Sequence, residues 1–348
     1  MRIKKYLMGF CMLLSISSFA QQTDMSLVPY RQGMKWGYAT PDRKIVIAPK
    51  YDEANWFSEG YASVKIGTKY GYINKTGKLV IPAKYTVAKS FRKGYMPNVK
   101  KEGGDSILFA GASLVKSGEE ICINTKGTQL LKCPAISENA VRENRIPVKT
   151  VETQKTYSIP NNNGLFDKIV DDYKVEGSDE TYYIAQKNNL YGVFNSKFDT
   201  IVPFQYNSIK VNRKSKVPFL EVNKGGMYGV MTTAGQTSIV PEYSNLTVVD
   251  GPGGTEYVII RKDGKTYVKD ITNRDVISTG YADIVYDDGG FIITNNDNLR
   301  GYYFSDNTVI QPKYSEVKWV NGTKYLMVKT PAGKVGYINT AGDEYFVE

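Results

Sequence analysis

The sequence predicts an all-β protein. Its units are tandem four-strand hairpin repeats, about eight plus a terminal hairpin, in a curved open solenoid or a propeller-like array. The main observation is an aromatic residue beside glycine that recurs along the chain. It appears as Trp36-Gly37, Tyr70-Gly71, Tyr191-Gly192, Tyr228-Gly229, Gly301-Tyr302 and Gly336-Tyr337. Glycines in neighbouring copies stand 34, 37 and 35 residues apart. A fixed period of this size marks one small unit copied and stacked on itself. Short runs of aromatic and β-branched residues alternate with glycine turns around each copy, and helical periodicity is absent from the repeat windows.

The second copy shows the unit. Tyr70-Gly71-Tyr72-Ile73-Asn74 reads as strand one, Lys75-Thr76-Gly77 as a turn, and Lys78-Leu79-Val80-Ile81 as strand two. Pro82, which lacks an N–H, is expected to end the hydrogen bonding of strand two. A tyrosine follows the proline in most copies, at Tyr51, Tyr85, Tyr206, Tyr243 and Tyr314. Strand three then carries apolar residues two apart, such as Ile209 with Val211 and Leu246 with Val248, which gives it one buried side. Strand four is the most regular column, including Tyr61 to Val64, Tyr95 to Val99, Ile146-Pro147-Val148 and Phe219 to Val222. A weaker strand one is traced at Tyr157-Ser158-Ile159. Leu27-Val28-Pro29-Tyr30 resembles an unaccompanied fourth strand, and residues 335–348 a closing hairpin. A lone hairpin pair cannot bury its apolar face, so the units must stack. The glycine after the aromatic is expected to let a neighbouring ring lie on bare backbone.

Residues 1–20 read as a signal peptide: Arg2, Lys4 and Lys5, then an apolar run, then Ser18-Phe19-Ala20. Residues 21–348 read as one repeat array, with 101–118 as an inserted loop. No later run approaches the ~18 apolar residues of a membrane span, so no transmembrane anchor is expected. Export to the periplasm or the outer cell surface follows from the signal. Removal of its three cations lowers the formal charge from +10 to +7. The basic stretches, Lys84 to Lys101 and Arg213 to Lys216, read as solvated loop charge, and nucleic acid is a poor partner for an exported chain. Cys122 and Cys133 remain after processing. An oxidising compartment allows them to bond, and geometry decides whether they do.

These residues resemble the bacterial WG repeat. The resemblance rests on Lys35-Trp36-Gly37-Tyr38, Tyr51-Asp52-Glu53-Ala54, the run from Phe57 to Val64, and Lys69-Tyr70-Gly71-Tyr72 with its following turn. It is specific over 34–100, and clear over 189–262 and 299–348. It implies an all-β array with binding or scaffold roles and transfers no site residue.

The chain contains no histidine, which excludes histidine triads, histidine zinc sites and histidine bases. The acidic pairs Asp171-Asp172, Asp179-Glu180 and Asp287-Asp288 lie in polar stretches and read as turns. Gly251-Pro252-Gly253-Gly254 lacks the lysine of a phosphate cradle. The sequence therefore names no catalytic residue, metal ligand set or cofactor, and a non-enzymatic protein is expected. The first functional reading is a scaffold for a protein partner in the bacterial envelope. The alternative is glycan binding through exposed aromatics, with Trp56 and Trp319 as candidate ligand contacts. Those two positions fall in an otherwise apolar column, so core packing is the first reading for them.

Overall fold

A computed structural model describes residues 23–95, 106–114, 120–130, 133, 164–174, 180–213, 215, 218–251 and 255–347. The proposed signal peptide lies outside the described residues, as do the strands expected at 146–148 and 157–159, the glycines at 253 and 254, and Asp179. The described chain is strands and turns, gathered in eight sheets. It divides into two units, Met1–Asn144 with Tyr345–Glu348, and Arg145–Glu344.

The second unit shows the repeat at its most regular. One sheet pairs Lys168–Lys174, Thr181–Lys187, Leu190–Asn195 and Thr200–Tyr206 in that order, all antiparallel. Ser208–Asn212, Phe219–Lys224, Met227–Thr232 and Thr237–Tyr243 form the next. Asn245–Asp250 to Asp275–Tyr281 and Asp283–Asp287 to Val309–Tyr314 repeat the order, and Glu316–Trp319, Tyr325–Lys329 and Val335–Asn339 form a three-stranded sheet. Each sheet therefore opens on strand three of one sequence copy and closes on strand two of the next. This corrects the expected one-to-four grouping.

Turn chemistry accounts for the offset. Strands four and one join through two residues that both take positive φ, Asn188-Asn189, Gly225-Gly226 or Asp263-Gly264. That geometry closes a tight hairpin. Strands two and three are separated by a single residue, too short for a reversal. Its N–H already bonds the next sheet, as Asn207 N–H does to the Asn223 carbonyl at 2.8 Å and Ser244 N–H to that of Arg261 at 2.8 Å.

Strand two does not stop at its proline. It runs on to the tyrosine through a wide irregularity, in which two steps along strand one match four along strand two. Tyr70 pairs with Tyr85 and Tyr72 with Ile81. Trp36 with Tyr51, Tyr191 with Tyr206 and Tyr228 with Tyr243 repeat the register. Proline fits the bulge because no ladder bond is required of it there. The bulge pushes backbone against the glycine of strand one. A Cβ on Gly71 would lie 2.5 Å from the Ile81 carbonyl oxygen and 2.8 Å from Ala83 N; on Gly229 it would lie 2.5 Å from the Ile239 oxygen and 2.7 Å from Pro241 N. Gly37 and Gly301 meet the equivalent atoms, and Gly192 meets the Val202 oxygen and the Phe204 ring. The glycine thus receives main chain, where a ring was expected. Gly336 closes the series on a strand whose outer neighbour is only the bridge between Ile338 and Glu344.

The hydrophobic cores lie between successive sheets. Val193, Val202 and Tyr206 of one sheet pack with Ile209, Leu220 and Val222 of the next. Tyr38, Ile47 and Tyr51 do the same with Phe57, Val64 and Ile73. Each fully buried side chain of this kind contributes roughly 1.5–3 kcal/mol before entropy. At the rim, a turn glycine rests on an aliphatic residue of the preceding strand two: Gly77 on Ile47, Gly127 on Ile81, Gly235 on Ile201 and Gly342 on Ile310.

In the first unit, Val28–Gln32 is indeed a fourth strand, paired with Lys35–Ala39. Phe346–Val347 runs parallel beside it, in the place of a strand three. The expected terminal hairpin is corrected accordingly. The expected loop at 101–118 is also corrected, because Ser106–Ser113 is the central strand of its sheet. It pairs with Val87–Ala88, Arg92–Tyr95 and Ile121–Ile123. Of the strand four expected at 95–99, Tyr95 ends the strand Arg92–Tyr95, and the rest lies outside the described residues. Cys122 and Cys133 are joined by a disulfide, with Cα atoms 5.2 Å apart.

Two outcomes follow. Gly71→Ala and Gly229→Ala each lose about 1–3 kcal/mol in urea unfolding, because main chain cannot move aside, whereas Gly264→Asn, at an open turn position, loses less than about 0.5 kcal/mol. A neutral Gly71→Ala would contradict the bulge contact. Reduction, or Cys133→Ser, removes about 3 kcal/mol by freeing a short loop, seen as a lower melting temperature in dithiothreitol that the serine variant does not show further.

Candidate functional site

One column of strand two distinguishes the seams. The residue before its buried aliphatic is Val46, Val80, Ile201, Val276 or Val309 in five copies, and Ser238 in the sixth. Where Ile201 holds that place, the next turn closes on it through Gly235. Beside Ser238 lies a cleft of about 620 Å³ between the strands around Phe219–Lys224 and those around Glu256–Lys262.

Phe219, Val230 and Ile271 give the cleft an apolar floor. Thr233, Thr237 and Ser238 form one wall, and their hydroxyls are not engaged by the described residues. The opposite wall is the turn Thr272-Asn273-Arg274. Asp270 builds that turn: Oδ1 accepts from Thr272 N–H at 2.9 Å, Thr272 Oγ1 at 2.7 Å and Arg274 N–H at 3.0 Å, and Oδ2 accepts from Arg274 Nε at 2.7 Å. Burial pushes its carboxyl up, but the bonds from Thr272 and Arg274 outweigh burial, so its pKa lies below the ordinary value. Glu256 is the second acid. It stands diagonally across the ladder, since Tyr257 is the register partner of Asp270. Both acids are 8% exposed. The cleft offers hydrogen-bond donors and acceptors over an apolar base. Among its described lining residues there is no cysteine or lysine to act as nucleophile or base.

The sequence-level candidates fall elsewhere. Trp319 is half-buried; its ring stacks on Tyr302 at 6.0 Å, meets Phe304 edge-on at 6.0 Å, and covers Gly289. Trp56 is half-buried between the short strands Glu53–Ala54 and Phe57–Ser58. Asp287 accepts from the Trp319 N–H at 3.0 Å, and Asp171 accepts from Arg213 at 2.8 Å, so both acidic pairs serve structure. Among the basic residues, Lys89 pairs with Glu120, Lys93 lies 3.7 Å from Glu59, and Arg92 sits over the Phe109 ring at 5.0 Å. Lys100, Lys101, Lys214 and Lys216 lie outside the described residues. Among the described residues, no group of three or more acids or cysteines is placed to hold a metal.

Tyrosines tie neighbouring sheets together. Tyr51 donates to the Gly77 carbonyl at 3.3 Å, Tyr85 to that of Gly127 at 3.4 Å, and Tyr173 to that of Thr233 at 2.8 Å. Tyr72 likewise reaches the next sheet, donating to the Lys89 carbonyl at 2.8 Å, and within one sheet Tyr302 donates to the Asp287 carbonyl at 2.6 Å. Burial raises the hydroxyls of Tyr72, Tyr173 and Tyr302. Burial and a hydrogen bond to Glu53 push Tyr70 up to about 12; burial with Glu242 does the same for Tyr243, and burial with Glu344 for Tyr314. The folded state therefore holds these protons more tightly than the unfolded chain, whose tyrosines titrate near about 10. Stability is full below about pH 10 and is lost as pH rises towards about 12. Urea midpoints measured across that window fall steadily, while tyrosinate absorbance lags behind that of the unfolded chain.

The model of the WG containing repeat matches residues 36–70, 70–103 and 191–228. No curated protein matches the chain. Among solved structures, the chain is similar to PorZ, an essential bacterial surface component of the type-IX secretion system of Porphyromonas gingivalis, at 11% identity and a TM-score of 0.25, covering 85% of this chain and 37% of that one. The chain thus spans little more than a third of PorZ. It is also similar to Hsv2p of Kluyveromyces lactis, at 11% identity and a TM-score of 0.21 over 81% of this chain and 71% of that one. BBS1N, solved in complex with ARL6DN, gives 10% identity and a TM-score of 0.21 over 92% and 93% of the two chains. At such scores none of the three fixes an arrangement or a function. The matched units themselves carry the assignment: residues 36–103 and 191–228 of this chain are WG-containing repeats.

Proposed function

We propose that this chain is an exported, non-enzymatic scaffold of the bacterial envelope that binds another protein. The observation that carries the reading is a surface feature repeated along the array. A lysine ammonium lies over five of the six described tyrosines that end strand two: Lys50 over Tyr51 at 5.3 Å, Lys84 over Tyr85 at 5.3 Å, Lys224 over Tyr206 at 5.9 Å, Lys262 over Tyr243 at 5.8 Å and Lys313 over Tyr314 at 5.1 Å. Like cations at like places suit an extended acidic surface engaged at several points, where affinity accumulates from modest contacts. Catalysis needs a few unlike groups converging on one point, and the ionisable groups of this chain are spread over its repeats. The signal-like segment at 1–20 supports export, and among the described residues no helix is long and apolar enough to cross a membrane. Stacking of a saccharide on Trp319 is disfavoured by the packing of that ring.

Envelope cross-linking with the full chain tests the reading. A defined protein partner is expected, with capture reduced about tenfold or more by Lys50→Glu together with Lys84→Glu, and with mature protein beginning at Gln21. A chain that stays in the cytoplasm with residues 1–20 attached, or a partner indifferent to both lysines, would overturn it.

A further inference from the structure

We infer that a second cleft, between the sheet of residues 245–281 and the sheet of residues 283–314, binds a phenol ring such as the side chain of tyrosine. It holds about 350 Å³, at the small end of the roughly 300–1,000 Å³ of small-ligand sites. Asn245, Thr247, Ile259, Arg261 and Thr266 line it from one sheet, and Tyr286 lines it from the next. Three of these residues form one row across the ladder. Asn245 pairs with Arg261, and Arg261 pairs with Thr266. Side chains of such a row stand side by side on one face.

The equivalent rows of other copies show what covers that face. In the first unit Glu53 pairs with Lys65, and Lys65 with Tyr70. The Tyr70 ring lies 5.5 Å from the Lys65 ammonium, and its hydroxyl donates to Glu53, so the ring spans the row. Arg31 pairs with Trp36, and its guanidinium lies 5.7 Å from the indole centroid. The strand-one place is Trp36, Tyr70, Tyr191 or Tyr228 in four copies and the long Arg300 in a fifth. Thr266 is short, so strand one lays no ring over Arg261. That guanidinium is exposed and forms no ion pair among the described residues. Its one side-chain hydrogen bond there is a long one, to the Gly264 carbonyl at 3.4 Å.

A ligand ring in the place of the Tyr70 ring meets Arg261 in a cation–π contact. The half-buried Ile259 and Tyr286 supply its apolar surroundings. A phenol hydroxyl both donates and accepts, which suits the Asn245 amide and the Thr247 hydroxyl. Both of those residues are exposed, and neither side chain bonds a described residue. Thr266, 3% exposed, is the floor of the cleft, and recognition falls to Asn245, Thr247 and Arg261. The Thr266 Oγ1 has no hydrogen-bond partner, so replacing that residue breaks no bond. A saturated ring of the same size lacks the negative π face that attracts a cation, so aromatic ligands are preferred.

The test is calorimetric titration of the full chain with p-cresol, N-acetyltyrosinamide and tyrosine-centred pentapeptides, with 4-methylcyclohexanol as the saturated match of p-cresol. The phenols are expected to bind in the millimolar range or tighter, and 4-methylcyclohexanol more weakly by about threefold. Thr266→Tyr supplies the ring from strand one and should reduce binding by about tenfold or more, with the melting temperature held or raised. Arg261→Met, at an exposed position, keeps the fold and should erase the preference for the aromatic ring. Affinity complete in p-cresol identifies a free phenol as the ligand, and affinity that rises through the amide to the peptides identifies a tyrosyl side chain of a partner. No phenol binding at about 10 mM, equal binding of 4-methylcyclohexanol, a preference that survives Arg261→Met, or binding unchanged in Thr266→Tyr would each overturn the inference. None of these results depends on Lys50, Lys84 or the capture of an envelope partner.

Discussion

Contact between a glycine in strand one and the bulged main chain of strand two is the constraint from which the rest of the structure follows. The bulge brings a carbonyl oxygen to within 2.5 Å of where a Cβ of Gly71 or Gly229 would stand. No side chain fits there, so the position is glycine. The bulge needs a residue that forgoes its ladder bond, so proline follows. The extra residues restore the register two steps later, so the tyrosine after the proline faces the aromatic before the glycine. That tyrosine then stands at the sheet edge, where in the first unit its hydroxyl reaches a turn carbonyl of the next sheet. Aromatic, glycine, proline and tyrosine are one device read at four places in the sequence.

The copy formed by Lys265–Asp270 and Asp275–Tyr281 shows that space is what is kept, and that no particular residue is. Strand one there carries Thr266-Tyr267, where Tyr70-Gly71, Tyr191-Gly192 and Tyr228-Gly229 stand in other copies, and strand two has Gly280 in its bulge and no proline. A Cβ on Gly280 would lie 2.8 Å from the Tyr267 hydroxyl oxygen. The bare position has moved to the opposite strand, and the register, Thr266 with Tyr281 and Val268 with Ile277, is unchanged. A search for Trp-Gly or Tyr-Gly alone passes over this copy, although its geometry is that of the others.

Strand columns were legible because alternation has a period of two and the unit repeats near 35 residues. Sheet boundaries were not legible from that pattern, since a periodic array reads the same wherever it is cut. The deciding signal was present in the joins: two residues tolerant of positive φ, such as Gly225-Gly226, between strands four and one, and a single residue between strands two and three. The strand at Ser106–Ser113 was hidden by the glycines in and around it. Trp56 and Trp319 drew attention as large aromatics. The cleft is marked by the opposite kind of signal, a small polar residue in an aliphatic column, which is visible only once the column is aligned.

A repeat array can carry a small polar residue at the rim of a seam at little cost. Its stability comes from cores between successive sheets, each built from many side chains, while the rim contact of turn on strand is a separate and smaller increment. Replacing an aliphatic residue by serine at the rim forfeits roughly a methyl or two of burial, on the order of 1 kcal/mol, and leaves Ile239 and Val258 wholly buried behind it. The same substitution one residue later, at Ile239, would open the core itself. A cleft such as the one beside Ser238 is therefore compatible with this architecture at the rim of a seam, where the contacts that hold the fold lie a layer below.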